Sequence, residues 1–114
     1  GWCDPKPYYH LADVLVSPSR HEPLGNTILE AWACAKPLVA TATFGAIELI
    51  TPDQNGIITP VQDSDALADA FEQLIQNKDL CDALTEGGAR TVKERFSKKI
   101  ITDQYLALYE QLLN

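Results

Sequence analysis

Two spacings of apolar residues alternate through the first half of the chain, and one of them governs the second half. Val14-Leu15-Val16, Leu38-Val39-Ala40-Thr41 and Gly56 to Thr59 are short runs bounded by turn residues, the pattern of strands buried on both faces. Between the first two runs, Ile28, Leu29, Ala31, Trp32 and Ala35 recur at helical spacing, which predicts a helix over 27–35 stopped by Lys36-Pro37. Tyr8 to Ala12 reads as the end of a short helix leading into the first strand, and Glu22 to Asn26, with Pro23 and Gly25, reads as a loop. Phe44-Gly45-Ala46 reads as a turn into a short helix over 47–50. Pro52 to Gly56 reads as a second turn, with Asn55-Gly56 its strongest signal.

Beyond Pro60 only the helical period remains. Asp63 or Ser64 is expected to cap a helix carrying Leu67, Ala70, Phe71, Leu74 and Ile75 on one face. Lys78 to Thr85 predicts a further helix that ends at Gly87-Gly88, and Ala89 to Phe96 another. Lys98 to Leu113 closes the chain, with Ile101, Tyr105, Leu108 and Leu112 at spacings of three and four. Strands alternating with helices, followed by helices, make an α/β domain with a parallel sheet. Three strands are few for a doubly wound sheet, so a truncated sheet is expected.

Composition narrows the choices of function. A chain of 114 residues, 46% apolar and 22% charged, is one soluble globular domain. No apolar stretch approaches the roughly 20 residues of a membrane helix, and no signal-peptide pattern opens the chain. The formal charge of −7 comes with no basic stripe, which excludes a nucleic-acid face. An anionic ligand would have to be held by local donors against that field. Cys3, Cys34 and Cys81 are odd in number and contain no CxxC pair, which argues against a disulfide framework and a zinc site. Cys34 reads as a small core residue, and a reducing, cytoplasmic setting is expected. The chain begins Gly1-Trp2-Cys3 and contains no methionine, so it is read as a piece of a longer protein.

The chemistry concentrates in Pro18-Ser19-Arg20-His21-Glu22-Pro23-Leu24-Gly25-Asn26-Thr27-Ile28-Leu29-Glu30-Ala31. This is a strand exit, a loop and a helix start, and ligands of open parallel sheets bind outside the carboxyl ends of the strands. A helix start offers unpaired N–H groups and a positive dipole end, which suit a phosphate. Gly25 lets backbone approach an anion closely, while Asn26 and Thr27 add donors. Glu22 precedes the helix, and Glu30 lies roughly 6 Å along the axis from Asn26. A carboxylate repels phosphate but accepts hydrogen bonds from sugar hydroxyls. Sugar, diphosphate and ribose in that order make a nucleotide-sugar; the bland alternative leaves both glutamates as solvated surface charges.

Ala12-Asp13-Val14-Leu15-Val16-Ser17-Pro18-Ser19, then Glu22-x7-Glu30, then Ala31 to Thr41 resemble the donor-site signature of retaining GT-B glycosyltransferases of family 4. Gly45-Ala46 with Glu48-Leu49-Ile50, Asn55-Gly56, the Asp65 to Leu74 helix and Tyr105-x3-Tyr109 match in order, so the resemblance covers essentially the whole chain. It implies a Rossmann-like sheet with flanking helices, the truncated C-terminal half of a GT-B enzyme. Residues 1–114 would be a donor-binding fragment, with a final helix over about 98–113 packing toward a missing N-terminal domain. The implied roles put Glu22 on the transferred sugar near the reacting carbon, as the catalytic residue, with the amides of Leu24 and Gly25 on the same sugar. Gly25, Asn26 and Thr27 would hold the pyrophosphate and Glu30 the ribose. The resemblance implies retention of configuration and neither metal nor cofactor. The donor would be a UDP-, GDP- or ADP-sugar, the acceptor is unspecified, and the full-length protein would sit in the cytoplasm or at the inner face of the membrane.

Such transferases usually place an Arg and a Lys on the pyrophosphate from a segment preceding Gly1, and Arg20 and Lys36 do not occupy matching positions. The fragment is therefore expected to bind donor weakly and transfer nothing alone. A related GT-B sugar phosphorylase, a sucrose-type enzyme or a non-catalytic nucleotide-sugar-binding module would use the same loop. Among other residues, His21 and His10 read as loop and helix-surface side chains, and Trp32 reads as core. Glu48 either reaches the nucleotide or anchors its own loop. Ile100, Ile101, Tyr105, Leu108, Tyr109 and Leu112 would lie exposed without the missing domain and permit self-association.

Overall fold

The buried runs become three parallel strands, β1 (Leu15–Ser17), β2 (Leu38–Thr41) and β3 (Ile57–Thr59), ordered β1-β2-β3. Leu15 pairs with Leu38, and Thr41 pairs with Thr59. The structure is a computed structural model and describes every residue from Gly1 to Asn114. Around the sheet lie α1 (Lys6–Leu11), α2 (Asn26–Ala33), α3 (Phe44–Leu49), α4 (Ser64–Gln76), α5 (Lys78–Arg95) and α6 (Lys98–Leu113). This is the expected Rossmann-like α/β architecture.

Alternation along β2 divides the core between two faces. Leu38 and Ala40 pack with Ile28, Ala31 and Trp32 of α2 and with Ala46, Leu49 and Ile50. Val39 points the other way, to Ile57, Ala70, Leu74 and Leu84. All four residues of β2 are buried, which is why that strand was legible as a continuous apolar run. α5 serves both faces, because its Leu84 belongs to the second cluster while Val92 and Phe96 pack on the first.

That crossing corrects the expected break at Gly87-Gly88. One uninterrupted helix runs through both glycines, because they permit close approach rather than a turn. A Cβ on Gly87 would lie 1.9 Å from the Gln54 carbonyl oxygen, and one on Gly88 2.2 Å from Trp32 Cδ1. Other expectations shift as well. The third helix starts at Phe44, three residues before the expected start, because the Thr43 hydroxyl accepts from the Ala46 amide at 3.4 Å and caps it. β1 begins one residue later than the apolar run. Ile75 is 82% exposed, since the buried face of α4 is carried by Ala70 and Leu74. Asp63 is the cap of α4, accepting from Ala66 at 2.9 Å.

The end of α2 is set by a Schellman arrangement in which Lys36 N–H reaches the Ala31 carbonyl and Ala35 N–H the Trp32 carbonyl. It puts Ala35 at φ 53°, a left-handed conformation that favours glycine. At the other extreme of the chain, α6 buries none of its residues and packs on α5 alone among the elements it touches closely. The radius of gyration, 15.6 Å, exceeds the roughly 13 Å of a compact chain of this size, as a projecting helix requires.

Two substitutions should move stability in opposite senses. Gly88→Ala removes a mid-helix glycine, which propensity alone would reward by up to about 1 kcal/mol, yet the clash with Trp32 should outweigh it and cost about 1–3 kcal/mol. Ala35→Gly relieves the left-handed alanine and should stabilise by about 0.5–1 kcal/mol. Midpoints of urea unfolding, read at constant slope, give both values; a Gly88→Ala protein more stable than the parent would contradict the packing account.

Candidate functional site

At the carboxyl end of the sheet, two loops lie against each other without intervening side chains. Gly25 precedes α2 in a left-handed conformation, φ 73°. Its neighbour across the gap is Gly45, where a Cβ would lie 2.8 Å from the Gly25 nitrogen and 3.0 Å from the Glu22 carbonyl oxygen. The Gly45 amide instead donates to that carbonyl at 2.8 Å. Beneath them Thr41, the last residue of β2, donates its hydroxyl to the Ser17 and Ser19 carbonyls and fixes the exit of β1. The loop carrying Glu22 is thus braced from β2 below and from α3 at the side.

The brace leaves the start of α2 open. The Gly25 carbonyl accepts from Ile28 and Leu29, at 3.0 and 3.3 Å, but the amides of Asn26 and Thr27 have no partner in the protein, and no side chain caps the helix. These are two donors at the positive end of an eight-residue helix. The amides of Leu24 and Gly25 are engaged differently: both point at Glu22 Oε1, at 3.4 and 3.3 Å, long for hydrogen bonds to a charged acceptor. The loop therefore already holds one anionic oxygen, and that oxygen belongs to Glu22.

The two glutamates line separate depressions. Glu22, partly exposed, lines a cleft of about 360 Å³ with Arg20, His21, Thr43, Phe44 and Ile47. Glu30 is exposed on α2 and lines a second depression of about 300 Å³ with Pro5, Lys6, Tyr9, Ala33 and Cys34. The open amides of Asn26 and Thr27 are at the helix end between them in the chain. Glu30, four residues from Asn26, shares the helix face of that residue.

Tyr9, which periodicity did not single out, donates its hydroxyl to Glu30 Oε2 at 2.6 Å. Its phenol is pushed up to about 12 from the ordinary 10, first by burial and then by this hydrogen bond and the charge of Glu30. Arg20 is exposed and lines the Glu22 cleft. Glu48 is exposed on α3 and its side chain forms no hydrogen bond; Thr43 and Gly45 anchor the start of that helix. Trp32 is core at 1% exposure, its indole N–H donating to the Asn55 carbonyl at 2.8 Å. Cys34 is only half-buried beside Glu30, not part of the apolar core expected for it. His21 and His10 are exposed, and the His10 carbonyl accepts from Lys36 Nζ at 3.0 Å. No group of His, Cys, Asp and Glu in the chain has the arrangement of a metal site.

Known proteins resemble the chain in sequence and in fold. A family model described as glycosyl transferases group 1 matches residues 1–77. The chain is 39% identical over 109 residues to the lipopolysaccharide core biosynthesis glycosyltransferase LpsE of Rhizobium meliloti (strain 1021), covering 95% of this chain and 32% of that protein. It matches Anabaena Alr3699/HepE, solved in complex with UDP-glucose, with a TM-score of 0.82 and 26% identity over 91% of this chain and 29% of the other. It also matches the C-terminal domain of a glycosyl transferase group 1 family protein (LpcC) from Francisella tularensis, with a TM-score of 0.75 and 27% identity over 80% and 47% of the two chains. The chain spans from about a tenth to about a third of the length of the curated relatives it matches. No helix is long and apolar enough to cross a membrane.

The Tyr9–Glu30 pair has a pH signature. The folded phenol is raised to about 12, so its stabilisation is complete below the unfolded value near 10 and is lost as pH climbs toward about 12. Phenolate absorbance should show one late-titrating tyrosine, absent in Tyr9→Phe, and unfolding should ease across the same interval. A Tyr9→Phe protein whose titration keeps that late component would exclude the assignment.

Proposed function

Because this chain belongs to the glycosyl transferases group 1 family, we propose that it forms the donor-binding half of an enzyme that moves a sugar from a nucleotide-diphosphate sugar to an acceptor with retention of configuration. The observation that carries the reading is the pair of unpartnered amides at Asn26 and Thr27, held open by the left-handed Gly25 and flanked in sequence by Glu22 and Glu30. The diphosphate sits on those amides, the transferred sugar in the Glu22 cleft and the ribose at Glu30. The donor is a UDP-, GDP- or ADP-sugar; the UDP-glucose bound by Alr3699/HepE supports this chemistry.

Occupation requires one exchange within the loop. The amides of Leu24 and Gly25 must release Glu22 Oε1 before they can meet the sugar. The long contacts make that release cheap, and the freed carboxylate then accepts from sugar hydroxyls beside the reacting carbon, the catalytic position assigned to Glu22. As the bond from the anomeric carbon to phosphate breaks, its electron pair stays on the diphosphate. The charge developing there is stabilised by the amides of Asn26 and Thr27, already free and costing no rearrangement, and by that of Gly25 once Glu22 has released it. This scheme asks nothing of a metal or a cofactor.

The remainder of the enzyme binds the acceptor and supplies the opposite wall of the cleft. The apolar side chains of α6, among them Tyr105 at 58% exposure and Leu112 at 73%, pack toward that second domain. In its absence they favour self-association. The fragment alone transfers nothing, and the whole protein works in the cytoplasm or at the inner face of the membrane.

The test is amide NMR on the chain with UDP, GDP and ADP. Half a cleft should give a Kd of about 1–10 mM, roughly 3–4 kcal/mol of binding, with the largest shifts at Gly25, Asn26 and Thr27. Perturbations centred elsewhere, or none at all in that range for any of the three, would sink the donor reading.

A further inference from the structure

The carboxylate of Glu30 is on the solvent side of α2, where an isolated glutamate samples several rotamers. Here it is not isolated. The Tyr9 hydroxyl takes Oε2 at 2.6 Å from α1, a different element, leaving Oε1 with no partner. Tyr9 itself is held, because α1 is tied down at its far end where Lys36 Nζ donates to the His10 carbonyl at 3.0 Å. The walls of the depression around the pair come from Asp4, Pro5, Lys6, Ala33 and Cys34, mostly apolar surface; the Asp4 carboxylate accepts from the Lys6 amide at 3.1 Å, and Glu30 Oε1 is free. That composition suits a ligand that presents a hydroxyl and an apolar ring face together.

We propose that Tyr9 is a positioning residue for Glu30: by occupying one carboxylate oxygen from α1, it aims the other at the ribose hydroxyls of the donor. The inference rests on the reading of Glu30 as the ribose contact and adds what sets its direction. A hydrogen bond to a fixed carboxylate is stronger than one to a carboxylate that must first be ordered, since the rotamer freedom has already been given up in the fold. In this arrangement the Tyr9 hydroxyl is spent on Glu30, and its effect on ribose recognition passes through that carboxylate.

The experiment compares UDP, GDP and ADP with their 2′,3′-dideoxy analogues, using the Thr27 amide shift as the reporter in the parent chain and in Tyr9→Phe, Glu30→Gln and the double variant. The parent should prefer the ribose form by about three- to tenfold. Tyr9→Phe should erase most of that preference while leaving affinity for the dideoxy forms unchanged, and in the double variant the loss should be no larger than in Glu30→Gln alone. If Tyr9→Phe weakens ribose and dideoxy forms equally, the residue merely supports the fold and the proposal is overturned. If it leaves the ribose preference intact, the proposal is overturned likewise. A ribose preference that survives Glu30→Gln removes the premise instead, locating the fault in the ribose reading. A Thr27 amide unmoved by any of the nucleotides at about 10 mM overturns both.

Discussion

Everything at the site depends on two stretches of backbone coming closer than side chains allow. Gly45 meets Gly25 where any Cβ would overlap a backbone nitrogen, and Gly25 adopts a φ that other residues adopt only at a cost. The contact fixes where the loop from β1 ends and therefore the direction in which α2 begins. The helix start then presents its unpartnered amides at the sheet's carboxyl edge. Tilted away, the same helix would bury them against α3 or leave them in bulk water, and the free donors would have no site to serve.

Charge raises an objection that geometry answers. A chain with a formal charge of −7 is a poor host for a diphosphate if the field is taken as a whole. Surface charges more than about 8 Å away are largely screened at physiological salt, so the net charge as a whole decides little at the helix start. Nearby acids count for more, and the two that flank the helix start in sequence are turned to other partners. Glu22 is drawn to its own loop amides and Glu30 to Tyr9, so neither confronts the Asn26 and Thr27 donors directly.

How much of this was legible in the sequence follows from what each feature needs. β2 and α6 were readable to the residue, because a continuous buried run and a long 3.6 period are properties of the chain alone. The order Glu22, Gly25, Asn26, Thr27, Glu30 was readable for the same reason, since one continuous stretch carries all five. Gly87 and Gly88 misled because glycine has two uses, freedom to turn and absence of bulk. Only the position of Trp32 and Gln54 in space tells which use applies. Thr43 capping α3 and Ala35 accepting a left-handed conformation are local choices that residue type disfavours or leaves open, decided by the packing around them. Tyr9 was invisible in principle, since its partner lies 21 residues away on another helix.

The two glutamates, alike in sequence, are held in unlike ways, and the difference matches the roles proposed for them. Glu22 rests on two amides at 3.3–3.4 Å, contacts too long to resist displacement, and those amides become available as it leaves. Glu30 is gripped at 2.6 Å by a phenol fixed from a neighbouring helix and keeps its second oxygen open. A residue that acts beside a reacting carbon has to move as the sugar enters, whereas one that recognises the unreactive end of the donor gains by standing still. Binding energy collected at a rigid ribose contact is then available for ordering the mobile end, where the bond is broken.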